Sequence, residues 1–250
     1  MYSITEQLQI PHGITCVIGS GGKTTLLRTL AHFLQGTVIL TTSTHMYPFP
    51  GIPLIDTSVQ GGFLEKRILS ALSENRVICV GALLSSGKLA IPAANADSLP
   101  VPSPGQNVQK PVPESFEDTF RRLLPLAVYV LVEADGSKGL PLKAHRAWEP
   151  VIPSCTSLTI GVAGLSGIGK PLREVCHCPS LFADLAGITE GQTVKGEHIA
   201  SVLNRENLAD CWFLNQTDLL PGPEPALEIC RLLHAKAFAG SLLENRFYTP

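Results

Sequence analysis

The chain has no surplus of positive charge: 19 Lys and Arg stand against 21 Asp and Glu in 250 residues, a formal net charge of −2. A basic stripe is the usual electrostatic footprint of a nucleic-acid binder, so no nucleic-acid partner is expected. Long apolar runs are also missing. The longest, Leu123 to Val132, is too short to cross a bilayer and contains Pro125. The opening Met1-Tyr2-Ser3-Ile4-Thr5-Glu6-Gln7 has no basic region followed by an apolar one, so no secretory leader is expected. The seven cysteines are odd in number and dispersed, which suits reduced thiols better than a disulfide framework. Internal repeats are absent. These absences predict a soluble cytoplasmic protein with no membrane partner, and the length suffices for one large domain with a buried core.

What is present is an alternation of strand-like and helix-like runs. Strands are predicted at Ile14–Ile18, Thr37–Thr41, Val77–Val80, Ala127–Val132, Leu158–Val162 and Cys211–Leu214. Helices are predicted near Thr24–Leu34, Phe63–Ser73, Ser180–Ala186, Glu197–Leu203 and Pro225–Ala237. In the second, Phe63, Leu64, Ile68, Leu69 and Leu72 keep the three-to-four spacing of one helix face. Continuous β-branched runs separated by helices predict an α/β fold: a mostly parallel sheet with helices on both faces, in a single domain spanning 1–250. Ligands in such sheets gather at the carboxyl ends of the strands. One segment breaks the alternation, with six prolines between Pro92 and Pro113. Proline removes backbone donors and fixes extended backbone, so 92–113 is expected to be a flexible loop, either a surface insertion or a lid.

The most informative stretch is Gly19-Ser20-Gly21-Gly22-Lys23-Thr24-Thr25, between an apolar run ending at Ile18 and a helical one beginning at Leu26. Strand, glycine turn, Lys-Thr and helix is the layout of a phosphate-binding loop. The glycines keep side chains away, so successive backbone N–H groups converge on an anion at the positive end of a helix. In that role Gly19, Ser20, Gly21, Gly22, Lys23, Thr24 and Thr25 bind the phosphates of ATP or GTP, with Lys23 on the outer phosphates and the Thr24 hydroxyl on Mg²⁺. The usual Gly-x-x-x-x-Gly-Lys-Ser/Thr spacing places its first glycine at Val17. This is the shorter Gly-x-x-Gly-Lys-Thr form, similar to the loop of Mur-type amide ligases. A plain glycine turn between strand and helix is the alternative.

A phosphate loop needs a carboxylate at a neighbouring strand end to hold the metal, directly or through water. The run Val128-Tyr129-Val130-Leu131-Val132 ends in Glu133-Ala134-Asp135-Gly136, and a spacing of two places both carboxylates on one side of an extended strand. Glu133 and Asp135 are candidate Mg²⁺ ligands, one of them also orienting a water or a substrate group; an acidic turn is the alternative. Thr41-Thr42-Ser43-Thr44-His45-Met46 leaves the second strand, and here Thr42 is a candidate ligand and His45 a candidate for positioning a nucleophile. Behind the acidic pair stand Lys138, Lys143, His145 and Arg146 in a Gly/Pro-rich loop, where cations neutralise a transferred phosphoryl group or bind an acidic second substrate. Lys138, nearest the carboxylates, is the first candidate among them.

Three further motifs carry weaker signals. Asn215-Gln216-Thr217-Asp218 resembles the Asn-Lys-x-Asp element with which many GTPases read guanine, with Gln216 replacing the lysine. Asn215 and Asp218 are its candidate base contacts, and an ordinary polar turn is the alternative. Gly164-Leu165-Ser166-Gly167-Ile168-Gly169-Lys170-Pro171 keeps the standard loop spacing, but Pro171 stands where Ser or Thr should hold Mg²⁺ and has no N–H, so a structured turn or a pocket wall is expected. Cys176-His177-Cys178 has no second ligand pair at zinc-like spacing and reads as mainly structural, His177 being its most testable member.

Together these residues resemble the YqeC-type family of selenium-dependent hydroxylase accessory proteins. The resemblance rests on Gly19–Thr25, Thr41–Met46, Glu133–Lys143, Glu149–Pro153, Gly167–Leu172, His177 and Asn215–Asp218, with Glu133-Ala134-Asp135-Gly136 its most specific part. It implies a P-loop NTPase-like fold and a part in maturing selenium- and molybdenum-containing hydroxylases. The implied partner is an apo molybdenum hydroxylase or a precursor of its cofactor. Joined to the motifs, this predicts a Mg²⁺-dependent nucleoside triphosphatase or phosphotransferase, with Lys23, Asp135, Lys138 and His45 as its catalytic candidates. Two other classes are open: a nucleotide-dependent switch or chaperone, and a ligase forming an acyl phosphate.

Overall fold

The computed structural model describes residues 3–59, 64–91 and 114–250. The proline-rich stretch 92–113, expected as a flexible loop, and Phe63 lie outside the described residues.

In chain order the elements are α1 (Ile4–Leu8), β1 (Gly13–Gly19), α2 (Lys23–Phe33), β2 (Val38–Thr42), β3 (His45–Met46), β4 (Leu54–Asp56), α3 (Leu64–Glu74), β5 (Val77–Leu83) and β6 (Leu89–Ala90). They continue with α4 (Glu114–Leu123), β7 (Tyr129–Glu133), β8 (Leu142–Lys143), β9 (Thr156–Gly164), α5 (Leu172–Val175), β10 (Cys176–His177), α6 (Pro179–Ala186) and α7 (Gly196–Glu206). The last are β11 (Cys211–Asn215), α8 (Glu224–Leu232), β12 (Lys236–Ser241) and β13 (Arg246–Tyr248).

The central sheet runs β13-β12-β11-β9-β1-β7-β2-β5-β6-β3, with β4 on β5. From β12 to β5 every neighbouring pair is parallel. Antiparallel pairing is confined to the ends, where β13 joins β12 and β6 joins β5 and β3. A separate two-residue parallel ladder links β8 to β10.

The apolar runs read as continuous because both faces of the sheet are covered. In β7, Val130 and Val132 enter one core and Tyr129 and Leu131 the other; in β1, Ile14, Cys16 and Ile18 face the first and Val17 the second. Helices α1 and α2 cover one face and α3, α4, α6, α7 and α8 the opposite one. Leu26, Leu27 and Leu30 of α2 are fully buried, each contributing about 1.5–3 kcal/mol of transfer free energy. The fold is thus α/β with a mostly parallel sheet. Among the described residues no helix is long and apolar enough to cross a membrane.

Two expectations need correction. The helix predicted over Pro225–Ala237 stops at Leu232, and Leu233 turns extended (φ −80°, ψ 139°) into β12, which pairs in parallel with β11. Phe238 of that strand stacks on Phe213 at a centroid distance of 4.9 Å, so packing overrides an alanine-rich local sequence. Helix α4 was not anticipated at all, although Phe116, Phe120 and Leu123 recur at helical spacing and are buried.

Five strands relevant to chemistry end on the same edge of the sheet. Gly19, Thr42, Glu133, Gly164 and Asn215 are the final residues of β1, β2, β7, β9 and β11. Register aligns them: Thr42 lies opposite Glu133, and Asn215 opposite Gly164.

Candidate functional site

Gly19 closes β1 with φ +88°, and a Cβ there would lie 2.2 Å from the Val162 carbonyl oxygen, so only glycine lets the loop leave β1 this close to β9. At Gly21, φ is +79° and a Cβ would lie 2.4 Å from the backbone of Gly164. Gly164, at the head of the Gly164–Pro171 turn, is therefore the wall against which Gly21 packs. Ser20 Oγ and Gly164 N both donate to the Pro141 carbonyl, at 2.8 and 2.9 Å. From the other side Asn215 Nδ2 donates to the Gly21 carbonyl at 2.8 Å, while its Oδ1 accepts from Leu242 N at 3.2 Å. Helix α2 has no side-chain cap, and its first hydrogen bond runs from Leu26 N to Gly22 O. The N–H groups of Lys23, Thr24 and Thr25 thus have no acceptor within the helix, at an end polarised to attract anions.

The two carboxylates differ sharply in surroundings. Glu133 Oε2 accepts from Thr24 Oγ1 at 3.0 Å. Burial pushes the Glu133 carboxyl above its usual range, and the negative charge of Asp135 adds to that; Lys23 and the Thr24 hydroxyl offset only part. Asp135 has no exposure and lies beyond the strand end. Its Oδ1 is 3.0 Å from Lys23 Nζ, and its Oδ2 takes Gly19 N at 2.8 Å, His145 Nε2 at 2.7 Å and Lys143 Nζ at 3.2 Å. Burial alone would raise its pKa, but Lys23, His145 and Lys143 outweigh it and hold Asp135 well below the usual carboxylate range.

The cations form a second layer. Lys143 also reaches Glu149 Oε2 at 3.1 Å and donates to the Gly136 carbonyl at 2.7 Å. His145 Nδ1 meets Glu206 Oε2 at 2.8 Å, and its backbone N–H donates to Glu206 Oε1 at 2.6 Å. Burial disfavours the charged imidazole, yet hydrogen bonds to Asp135 and Glu206 lift its pKa to about 8. Lys23 completes the cluster by donating to the Gly19 carbonyl at 2.7 Å and to Ser137 Oγ at 3.3 Å.

The sequence candidates separate on this geometry. Gly19, Ser20, Gly21, Gly22, Lys23, Thr24, Glu133, Asp135 and Asn215 are brought together. Thr24 and Thr25 are exposed at the start of α2. Thr24 and Glu133 place a hydroxyl beside a carboxylate, hard oxygen donors that suit Mg²⁺. Among the described residues no three His, Cys, Asp or Glu side chains gather as a metal site, but Mg²⁺ held by one carboxylate, a hydroxyl and substrate phosphates needs no such cage. Asp135, expected among the ligands, instead has Oδ2 taken by Gly19 N and His145 Nε2 and Oδ1 facing Lys23 in an ion pair without a hydrogen bond. Thr42 Oγ1 is also engaged, donating to the Glu133 carbonyl at 2.8 Å and accepting from Thr44 N at 3.0 Å. His45 is exposed in the short strand β3, paired antiparallel with β6 near Lys88, and no hydrogen bond or ion pair among the described residues joins it to Glu133 or Asp135. Lys138 is exposed with φ +53°, and Lys143 and His145 take the place beside Asp135 expected for it. Asp218 is half-buried in a turn near Asn215. Gln216 Oε1 accepts from Ser166 N at 3.3 Å, bracing the Gly164 turn. Glu206 was missed, since a glutamate ending an amphipathic helix reads as solvated.

A family model described as YqeC protein matches residues 15–180, which contain the glycine loop, both carboxylates and the cation layer apart from Glu206. The Escherichia coli (strain K12) protein named Uncharacterized protein YqeC is 30% identical over 218 residues, 81% of this chain and 75% of that relative. No solved structure matches. The match across more than half of the chain agrees with the motifs from which the resemblance was read, and the chain belongs to the YqeC family.

Proposed function

We propose that this chain binds a nucleoside triphosphate with Mg²⁺ at Gly19–Thr25 and hydrolyses it or transfers its terminal phosphoryl group, on a P-loop NTPase-like fold. The observation that carries the reading is the contact of Thr24 Oγ1 with Glu133 Oε2, made where a glycine loop opens into an uncapped helix beside a parallel strand end. The placement of β1 between β7 and β9 supports it, because ligands of such sheets lie where strand connections diverge.

In this reading the N–H groups of the loop and of the first turn of α2 hold the phosphates, and Thr24 and Glu133 hold the metal. A bound Mg²⁺ would supply positive charge to offset the negative charge that develops on the phosphoryl group. Asp135 is a positioning residue: it ties Lys23, Gly19 N, Lys143 and His145 into one rigid unit under the loop. Phosphoryl transfer depends mostly on positioning and electrostatics, which is what such a unit provides. Asn215 fixes the Gly21 carbonyl, and Asp218 is the candidate contact for a guanine base; ATP and GTP are therefore compared directly. Phosphate release with each nucleotide should fall severely in Lys23→Ala, and equal rates in the native and variant chains would sink the assignment. The setting in hydroxylase maturation rests on the family resemblance. It requires an apo molybdenum hydroxylase to bind differently with and without nucleotide, so identical binding in both states counts against it.

A further inference from the structure

A cavity lies beside the Lys138–Leu140 segment that follows Asp135 in the chain. Its volume is about 460 Å³, within the roughly 300–1,000 Å³ range of small-molecule sites. Lys138, Arg146, Arg173, His177, Cys178 and Leu181 line it, and no carboxylate does. Among the described residues none of the three cations forms an ion pair, whereas Lys23, Lys143 and His145 each pair with carboxylates. Three unneutralised cations around one cavity stand out in a chain of net charge −2. Arg146 is braced over the Trp148 ring at 5.7 Å, which leaves its N–H groups free to donate.

The backbone links this cavity to the loop. Lys143 pairs in register with His177 through β8 and β10, and the same lysine touches Asp135. Ser137, the residue before Lys138, accepts from Lys23. The positive field is felt locally: burial lowers the His177 pKa first, then Lys143, and Arg146 and Lys138 add to it against the opposing pull of Glu149.

We propose that this cavity binds a phosphorylated small molecule as the second substrate, its phosphate held by Lys138 and by the guanidinium forks of Arg146 and Arg173. Guanidinium groups match phosphate oxygens two at a time, and a phosphate dianion neutralises most of the uncompensated charge. The role as second substrate rests on the nucleotide reading; the binding itself does not.

The test uses phenyl phosphate as probe, titrated calorimetrically into the native chain, Lys23→Ala and the double variant Arg146→Ala/Arg173→Ala. Both arginines are exposed, so the double variant should fold, and its melting temperature checks that. Native and Lys23→Ala chains should bind the probe alike, and the double variant should lose about tenfold or more in affinity. A non-hydrolysable nucleotide analogue should bind the double variant as it does the native chain. Charge reversal in Arg173→Glu should abolish probe binding. The inference is overturned by no probe binding to the native chain, by equal affinity in the double variant, or by displacement of the probe from the native chain by the nucleotide analogue or its loss in a Lys23→Ala chain that melts as a folded protein, either of which would place the probe in the glycine loop. Citrate binding as tightly, with the same dependence on the arginines, overturns the phosphate class. A nucleotide analogue that fails to bind the native chain sinks the functional reading and leaves the probe result standing.

Discussion

Exchanging Asp135 for Asn removes one negative charge with almost no change of shape. Asp135 is fully buried and sits 3.0 Å from Lys23 Nζ, 3.2 Å from Lys143 Nζ and 2.7 Å from His145 Nε2. These cations are not equally orphaned by the change. Lys143 keeps Glu149 at 3.1 Å and His145 keeps Glu206 at 2.8 Å. Lys23, only 4% exposed, keeps only neutral acceptors in direct contact, Gly19 O and Ser137 Oγ, with Glu133 as a charged neighbour that remains. The cost is therefore that of about one broken buried pair, roughly 3–5 kcal/mol, not three. Glu133→Gln should behave differently. Burial already disfavours the charged form of Glu133, and Thr24 can donate to an amide oxygen, so the loss should stay below about 1 kcal/mol. Function should separate in the opposite sense, with Glu133→Gln losing the Mg²⁺-dependent part of nucleotide affinity. Urea unfolding at neutral pH measures the first contrast, and analogue titrations with and without Mg²⁺ the second. An Asp135→Asn variant within about 1 kcal/mol of native, or a Glu133→Gln variant that is the less stable of the two, refutes this division between an organising and a metal-facing carboxylate.

His145 titrates near 8 in the folded chain against 6.5 ordinarily, a raised value set by Asp135 and Glu206 with Lys143 close by, so its contribution is present in full below pH 6.5 and is lost as pH rises through 8. That contribution is about 2 kcal/mol; the stability difference between native and His145→Gln chains should shrink by this amount from pH 6 to pH 9, and a pH-independent difference would contradict it. Gly21→Ala puts a Cβ 2.4 Å from the Gly164 backbone at positive φ, so it should lower the melting temperature and weaken ATP and GTP binding together. Asn215→Ala unties the Gly21 carbonyl from Leu242 N and should cost about 1–2 kcal/mol in urea unfolding, with both nucleotides bound more weakly. Asp218→Ala should weaken GTP alone; equal losses for ATP and GTP would remove it as a base contact.

The six strands legible in the sequence are β1, β2, β5, β7, β9 and β11, which lie inside the sheet and are buried on both faces. Double burial demands uninterrupted apolar residues, and that demand is visible in one dimension. β12 was hidden because Lys236-Ala237-Phe238-Ala239-Gly240 suits a helix end as well as a strand; the stacking of Phe238 on Phe213 decides, and that partner is 25 residues away. The antiparallel edge strands β3 and β6 are two residues each, too short to carry a period. In α4 the helical spacing of Phe116, Phe120 and Leu123 was present but overshadowed by the prolines before it.

At the site, legibility follows the kind of constraint each residue answers to. The glycine loop was readable because its constraint is on the backbone and glycine itself is the record of that constraint. Glu133 was readable because a carboxylate ending an apolar strand is conspicuous. The choice of cation beside Asp135 was not, since nearness in sequence favoured Lys138. Positive φ at Lys138 and Gly139 turns the chain there, and the extended segment that follows brings Lys143 and His145, two residues apart, back to the same carboxylate. Glu206 left no local signal because its effect is exerted on a histidine 61 residues earlier. With Lys143 and His145 committed to Asp135, the three cations that line the adjoining cavity, Lys138, Arg146 and Arg173, form no ion pair among the described residues, and the proposed phosphate would meet its positive charge there, outside the carboxylate cluster.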